Sequence, residues 1–196
     1  MKKAVKTLVS FLSDNREEAV SRTERQRKDL NEKTPKAILL ACPQSLRMVS
    51  VRREDLFVLE SFGTAVNEVK ATLDYAVRRR ELPLLCIMGH HGCDALERAK
   101  KINEATDAEK ALYEEIAAGL ENGPRGGVKR TLYHIDHQVS VALSRYGDLV
   151  KSGKLVIVGL YCDEAGEISL TNYNGIKGKE ALAYGLPEVE ESFFFV

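Results

Sequence analysis

The chain has 196 residues, and its content of 44% hydrophobic and 30% charged residues is typical of one globular domain. Lys plus Arg and Asp plus Glu number 29 each, so the formal net charge is zero. A neutral chain gives no electrostatic footprint for nucleic acid or for an anionic membrane. No apolar run approaches the roughly 20 residues that cross a bilayer. We therefore expect neither nucleic acid nor a membrane among its partners.

Residues 1–34 are highly charged, and apolar residues recur among them at helical spacing until Pro35 ends the pattern. This pattern predicts an N-terminal helical arm over residues 1–34 and a single domain over residues 35–196. The arm opens like a signal peptide, with two lysines and a short apolar stretch. However, Lys6 interrupts that stretch and no small-residue cleavage site follows it. We therefore expect a cytoplasmic protein.

Four cysteines occur in the chain. Because the chain is neutral and shows no export signal, they do not indicate a disulfide framework. Cys86 and Cys162 lie inside apolar runs, which predicts small buried side chains. Cys42 and Cys93 instead follow apolar runs, where a side chain can reach a cleft.

After Pro35, short apolar runs of strand length alternate with helical patterns. The predicted strands cover residues 36–42, 55–60, 84–88, 154–162 and 167–172, and the last two form a hairpin. The predicted helices cover residues 66–81, 95–102, 108–120 and 134–152, with a Gly- and Pro-rich loop over residues 121–128. This alternation indicates an α/β fold with a mostly parallel central sheet flanked by helices.

The segment GHHGCDA directly follows a predicted buried strand and contains His90 and Cys93, three residues apart. Cys42 lies 48 residues before His90, at the end of a different predicted strand. Side chains at the carboxyl ends of parallel strands gather at one edge of the sheet, so the three residues can meet. Two thiolates and one imidazole suit Zn²⁺, and three protein ligands leave a fourth coordination position open.

The order of these motifs resembles that of the beta-carbonic anhydrases. It comprises Ala-Cys at a strand end, DLFV, a helix with LDYAV, a strand closing in GHxGC, the helix segment HIDHQV, and GKLVIVGLYCDEAGEI in the last strands. The resemblance covers roughly residues 36–170. It implies Cys42, His90 and Cys93 as zinc ligands and hydration of carbon dioxide to bicarbonate by a zinc-bound hydroxide. It also implies an N-terminal arm that embraces a partner subunit, in a homodimer or a higher even oligomer.

The first ligand segment departs from the family pattern, Cys-x-Asp-Ser-Arg, because it reads Cys42-Pro43-Gln44-Ser45-Leu46. Gln44 replaces the Asp that accepts a hydrogen bond from the zinc-bound water, and Leu46 replaces the Arg that pairs with this Asp. The amide oxygen of Gln44 can still accept a hydrogen bond, so we expect Gln44 to be the catalytic residue that orients the water. Arg47 comes one position late and would point the other way on a strand-like path.

Two functions stay open at this point. One is a carbonic anhydrase-type zinc lyase, and the alternative is a zinc-binding relative without hydratase activity. That relative would act on another small electrophile or serve as a structural or binding protein. The fourth zinc ligand, water or Asp94, would discriminate between them. We expect His91 to face solvent or to pass protons. We expect the helical spacing of His134 and His137 to arise by chance and not to mark a second metal site. His134 is a candidate proton shuttle.

Overall fold

The computed structural model describes residue 23 and residues 34–49 and 55–177. The predicted N-terminal arm lies almost wholly outside the described residues and stays a prediction. The described residues from Pro35 onward belong to one compact unit. Within the described part of the chain, no helix is both long enough and apolar enough to cross a membrane.

Six strands of the described residues form one sheet in the order β2-β1-β3-β4-β5-β6. Their bounds are Ala37–Ala41 for β1, Leu56–Glu60 for β2, Leu84–His90 for β3, Val156–Cys162 for β4, Ile168–Tyr173 for β5 and Ile176–Lys177 for β6. Strands β1 to β4 pair in parallel, whereas β5 and β6 add in antiparallel fashion. The mostly parallel sheet and the final hairpin are therefore confirmed, and β6 was not predicted.

Four α-helices flank this sheet: α1 at Lys70–Asp74, α2 at Asp94–Arg98, α3 at Asp107–Ala118 and α4 at Gly127–Lys151. Two of the predicted helices exist but are subdivided. A 3-10 turn at Asn67–Val69 precedes α1 and a π-helical turn at Tyr75–Arg79 follows it. Helix α2 continues into a 3-10 segment at Ala99–Glu104. Helix α3 begins at a capping box in which Thr106 and Glu109 bond each other's backbone N–H groups.

Helix α4 begins at Gly127, seven residues before the predicted start at residue 134. The glycines of the predicted loop do not delay the helix, because Gly127 takes the left-handed conformation (φ +66°) that glycine adopts without a Cβ clash. Val128, Leu132 and Ile135 then follow at helical spacing, and all three pack against the main core. The apolar stripe thus extends the helix by two turns toward the sheet edge.

Two glycines allow α4 to lie close against β3 and β4. A Cβ atom at Gly89 would lie 2.7 Å from Cγ1 of Ile135, and one at Gly159 would lie 2.7 Å from Cγ2 of the same residue. Ile135 is fully buried, so its side chain fills the space that these glycines leave on the sheet. This close approach places the middle of α4 beside the carboxyl end of β3.

We expect Gly159→Ala to lower the free energy of unfolding by about 1–3 kcal/mol, because the new methyl group overpacks a buried site at Ile135. Denaturant unfolding followed by circular dichroism measures the change. Gly147→Ala in α4 is the matched control, since a Cβ atom added at Gly147 would have no neighbouring atom within 4 Å, and helix propensity favours alanine there. Equal stability of Gly159→Ala and the wild type would contradict the packing argument.

Candidate metal centre

Three segments of chain meet at the carboxyl edge of the parallel strands. Cys42 directly follows β1, His90 is the last residue of β3, and Cys93 is the N-cap residue of α2. One potential ligand atom from each lies within 4.8 Å of the other two. The three residues are 0, 2 and 6% exposed. Among the described residues, this is the one group of three or more His, Cys, Asp or Glu side chains with ligand atoms this close.

Hydrogen bonds to backbone carbonyls fix the two turns that carry these residues. The hydroxyl of Ser45 donates to the carbonyl of Cys42 at 2.7 Å and closes the turn after β1. The backbone N–H of His91 donates to the carbonyl of Cys162 at 2.8 Å, which ties the second turn to β4. Gly92 has a φ of +62°, a left-handed conformation that lets the chain reverse toward Cys93. The ligand atoms are thus held by local backbone geometry.

The ring of His90 is oriented for metal binding. Its Nδ1 lies 2.8 Å from the carbonyl oxygen of His91. Because a carbonyl only accepts, Nδ1 carries the hydrogen and Nε2 of the neutral ring keeps its lone pair. Nε2 is buried and has no hydrogen-bond partner. A buried unpartnered acceptor is unfavourable unless a ligand satisfies it, and this arrangement is the usual one for a metal-bound imidazole.

The pKa values of the two thiols are shifted in opposite directions. The pKa of Cys42 lies well below its usual value, chiefly because of its interaction with the Cys93 thiol, which outweighs the opposing effect of burial, with smaller contributions from His90 and the backbone of Gly63. The pKa of Cys93 is raised, first by the same interaction with Cys42 and then by burial. Two thiolates at this distance repel each other, whereas a divalent cation would stabilise both. The donor set therefore fits a divalent metal ion.

Half-buried Gln44 and exposed Asp94 form a second layer of residues beside Cys42. The amide oxygen Oε1 of Gln44 lies 3.9 Å from Sγ of Cys42. The side-chain Nε2 of Gln44 donates to Oδ2 of Asp94 at 2.9 Å, and the backbone N–H of Asp94 donates to Oε1 of Gln44 at 3.2 Å. The Asp94 carboxylate is not a member of the group of close ligand atoms. The structure thus pairs it with Gln44.

The segment after Gln44 differs from the predicted strand-like path. Ser45–Arg47 forms a 3-10 turn, so the backbone curls back instead of extending. Leu46 is buried in an apolar cluster with Leu39 and Met88, while Arg47 is exposed. The turn therefore directs the side chain at position 46 into the core of the domain.

The other histidines lie outside the metal-ligand group. His91 is half-exposed, with Nε2 4.0 Å from a carboxylate oxygen of Glu164 and Nδ1 3.4 Å from the hydroxyl of Tyr161. His134 is buried and donates from Nε2 to the carbonyl of Gly63 at 2.7 Å. Burial lowers the pKa of His134 to about 4, so its ring stays neutral near pH 7. The expectation that His134 could shuttle protons is not supported by this environment.

Gly63 links His134 to the centre, and sequence reasoning did not assign it a role. It has a φ of +76°, and an added Cβ would lie 2.7 Å from Cδ1 of Ile116 and 2.9 Å from Cβ of Ala95. Only glycine fits both constraints. Its position after the end of β2, the strand beside β1, was the available signal, because that places it at the same sheet edge as Cys42.

A small cavity borders the centre, and a larger one lies beside Asp94. One of about 130 Å³ is lined by Cys93, His91, Gly92 and the first turn of α4. The other, of about 470 Å³, is open and is lined by Asp94 together with charged residues of α2 and α3. Small molecules can therefore approach the buried group from the side of the His91–Asp94 turn.

Comparison with known proteins agrees with this geometry. A family model described as carbonic anhydrase matches residues 37–166, which is well over half of the chain. The solved structure of a Coccomyxa beta-carbonic anhydrase in complex with acetazolamide has the same fold, with a TM-score of 0.70 at 15% identity. That alignment covers 92% of this chain and 93% of the other. The chain belongs to the beta-carbonic anhydrase family.

Two further relatives support the assignment. A tetrameric beta-carbonic anhydrase from Sordaria macrospora has a TM-score of 0.68 at 14% identity, over 87% of this chain and 97% of that one. Carbonic anhydrase 2 of Mycobacterium tuberculosis is 26% identical over 163 residues, covering 74% of this chain and 79% of the relative. The resemblance inferred from the motifs is thus confirmed. Membership implies a lyase acting on carbon dioxide, and the three-residue group could hold the metal.

We expect His134 to make the stability of the domain depend on pH. In the unfolded chain its pKa is about 6.5, so between pH 6.5 and about 4 the unfolded state binds more protons than the folded one. Its stabilising contribution is therefore complete above pH 6.5 and is lost as the pH falls, by about 3 kcal/mol in total. Denaturant unfolding at several pH values should show a shallower loss for His134→Asn. An identical pH dependence in His91→Asn and His134→Asn would contradict the assignment.

Proposed function

We propose that this chain binds Zn²⁺ through Sγ of Cys42, Nε2 of His90 and Sγ of Cys93, and catalyses the reversible hydration of carbon dioxide. The reaction is CO₂ + H₂O ⇌ HCO₃⁻ + H⁺. The observation that carries the proposal is the buried Nε2 of His90, which has no hydrogen-bond partner and faces two thiols within ligand distance of one ion. Membership of the carbonic anhydrase family supports the reaction.

Zinc held by such a set would supply a Lewis acid that acidifies a water molecule at an open coordination position. The protein residues supply orientation and shielding. The His91 carbonyl holds the His90 ring in the tautomer that presents Nε2. The burial of all three ligands keeps competing water away from the thiolates. Oε1 of Gln44, next to Cys42, is the acceptor that would orient the attacking water.

The wider biological setting stays at the level of proposal. Carbon dioxide and bicarbonate are the proposed substrates and zinc the proposed cofactor. A homodimer or a higher even oligomer is supported by the tetrameric relative from Sordaria macrospora. A cytoplasmic location stays a prediction from the sequence. A zinc-binding relative without hydratase activity is the alternative that the activity test decides.

The ligand assignment predicts the metal content of cysteine variants. Cys42→Ser and Cys93→Ser should each lose most of their zinc, because a hydroxyl is a far poorer ligand than a thiolate. Elemental analysis by mass spectrometry of the purified variants measures the zinc-to-protein ratio. Cys86→Ser is the matched control, since Cys86 lies in β3 outside the group and burial raises the pKa of its thiol to about 12. Full zinc content in Cys42→Ser would contradict the assignment of Cys42 as a zinc ligand.

The functional assignment predicts carbon dioxide hydration by zinc-loaded protein in a stopped-flow assay with a pH indicator. Activity should fall by more than about 100-fold in Cys42→Ser and stay near the wild-type level in Cys86→Ser. Metal content is measured on the same samples, so that lost activity can be assigned to lost zinc. A fully zinc-loaded wild-type protein that does not hydrate carbon dioxide would refute the proposed reaction and favour the alternative.

A further inference from the structure

The hydrogen bonds between Gln44 and Asp94 fix which end of the Gln44 amide faces which partner. The backbone N–H of Asp94 can only donate, so the atom 3.2 Å from it must be the amide oxygen Oε1. Oδ2 of Asp94 accepts a hydrogen bond at 2.9 Å, so the Gln44 atom that donates it must be the amide nitrogen Nε2. Both contacts select the same amide orientation.

This orientation determines what Gln44 presents to the metal centre. Oε1 lies 3.9 Å from Sγ of Cys42, and an amide oxygen has two lone pairs, of which the Asp94 N–H occupies one. The second faces the Cys42 thiol, and it is left for a donor bound beside Cys42 once Cys42 is a thiolate with no hydrogen to donate. If Asp94 did not bind Nε2, this half-exposed side chain could turn its nitrogen toward the centre and present a donor instead.

Among the described residues, the Gln44 amide makes its hydrogen bonds with Cys42 and Asp94 alone. Leu46, two residues later, is buried in an apolar cluster and offers no polar atom. Arg47 is exposed, and none of the hydrogen bonds of the Gln44 amide involves it. Asp94 is therefore the residue that can hold the amide in place. Its carboxylate is engaged by Gln44 and lies outside the group of close ligand atoms.

We propose that Asp94 is a positioning residue, which acts on the reaction through Gln44 and is neither a metal ligand nor a catalytic charge. Its backbone N–H and its carboxylate together clamp the amide with Oε1 toward Cys42. The inference rests on the proposed function, because Gln44 matters only if a water molecule at the metal reacts. It differs from the sequence-based expectation, in which Asp94 is a candidate for the fourth ligand.

The first test compares Asp94→Asn with Asp94→Ala. Asparagine keeps an oxygen that can accept from Nε2 of Gln44, so kcat should stay within about threefold of wild type. Alanine removes the acceptor, so kcat and kcat/KM should fall together by about 10-fold at unchanged zinc content. Both variants lose the same negative charge at the start of α2, so any effect of that charge on helix stability is shared. An equal fall of kcat in both variants would show that the reaction depends on the negative charge of Asp94 itself, and would overturn the proposal.

A double-mutant cycle with Gln44→Ala separates positioning from direct action. If Asp94 acts only through Gln44, adding Asp94→Ala to Gln44→Ala should change kcat/KM no further. An undiminished second loss would mean that Asp94 acts independently, as a ligand or as a charge. That result would also overturn the proposal.

A third readout does not require turnover. Azide accepts hydrogen bonds but has none to donate, so an oxygen facing the metal disfavours it and a nitrogen favours it. In Co²⁺-substituted protein, followed by visible absorption, Asp94→Ala should bind azide about threefold or more tightly than Asp94→Asn, because only alanine removes the side-chain acceptor of Nε2 and leaves the amide held by the backbone N–H alone. Equal azide affinities of the two variants would refute the proposal that Asp94 positions Gln44. If the wild type lacks hydratase activity but the difference in azide affinity appears, the proposed reaction is wrong, whereas the positioning of Gln44 by Asp94 is supported.

Discussion

Strands β1 and β3 are hydrogen-bonded neighbours that run in the same direction, with Ala41 opposite Met88. Cys42 and His90 therefore leave the sheet side by side, although 48 residues separate them in the chain. The candidate metal centre depends on this register, because Cys93 reaches the other two residues through the short turn that follows His90. A shift of one residue in the register would turn each side chain to the opposite face of the sheet.

The same sheet edge also explains the depth of the site. Helix α4 approaches β3 closely because Gly89 and Gly159 leave room for Ile135. One residue before Ile135, His134 then donates its hydrogen bond to Gly63, whose backbone in turn contributes to the lowered pKa of Cys42. The packing of α4 against the sheet is thus connected, through His134 and Gly63, to the pKa of the Cys42 thiol. Burial disfavours two adjacent thiolates, and a bound cation would offset this cost by neutralising their charge.

The sequence was sufficient for features that depend on local patterns. Alternating apolar runs predicted the parallel strands, and their ends predicted that Cys42, His90 and Cys93 converge. It was insufficient where tertiary context overrides local propensity. The glycines of residues 121–128 indicated a loop, but the apolar stripe that begins at Val128 extends α4 back to Gly127. The contact between Gln44 and Asp94 joins residues 50 positions apart. It depends on strand register and on side-chain direction, which spacing alone does not encode.

The two departures from the family pattern at positions 44 and 46 are physically linked. Leu46 is 7% exposed and lies among apolar side chains. A guanidinium placed there would need a buried anionic partner, because an unpaired buried charge is strongly unfavourable. The neutral amide of Gln44 provides no such partner, so leucine at position 46 is the compatible choice. Loss of the carboxylate at position 44 thus permits an apolar residue two positions later, and Asp94 on a separate turn provides the partner that the amide requires.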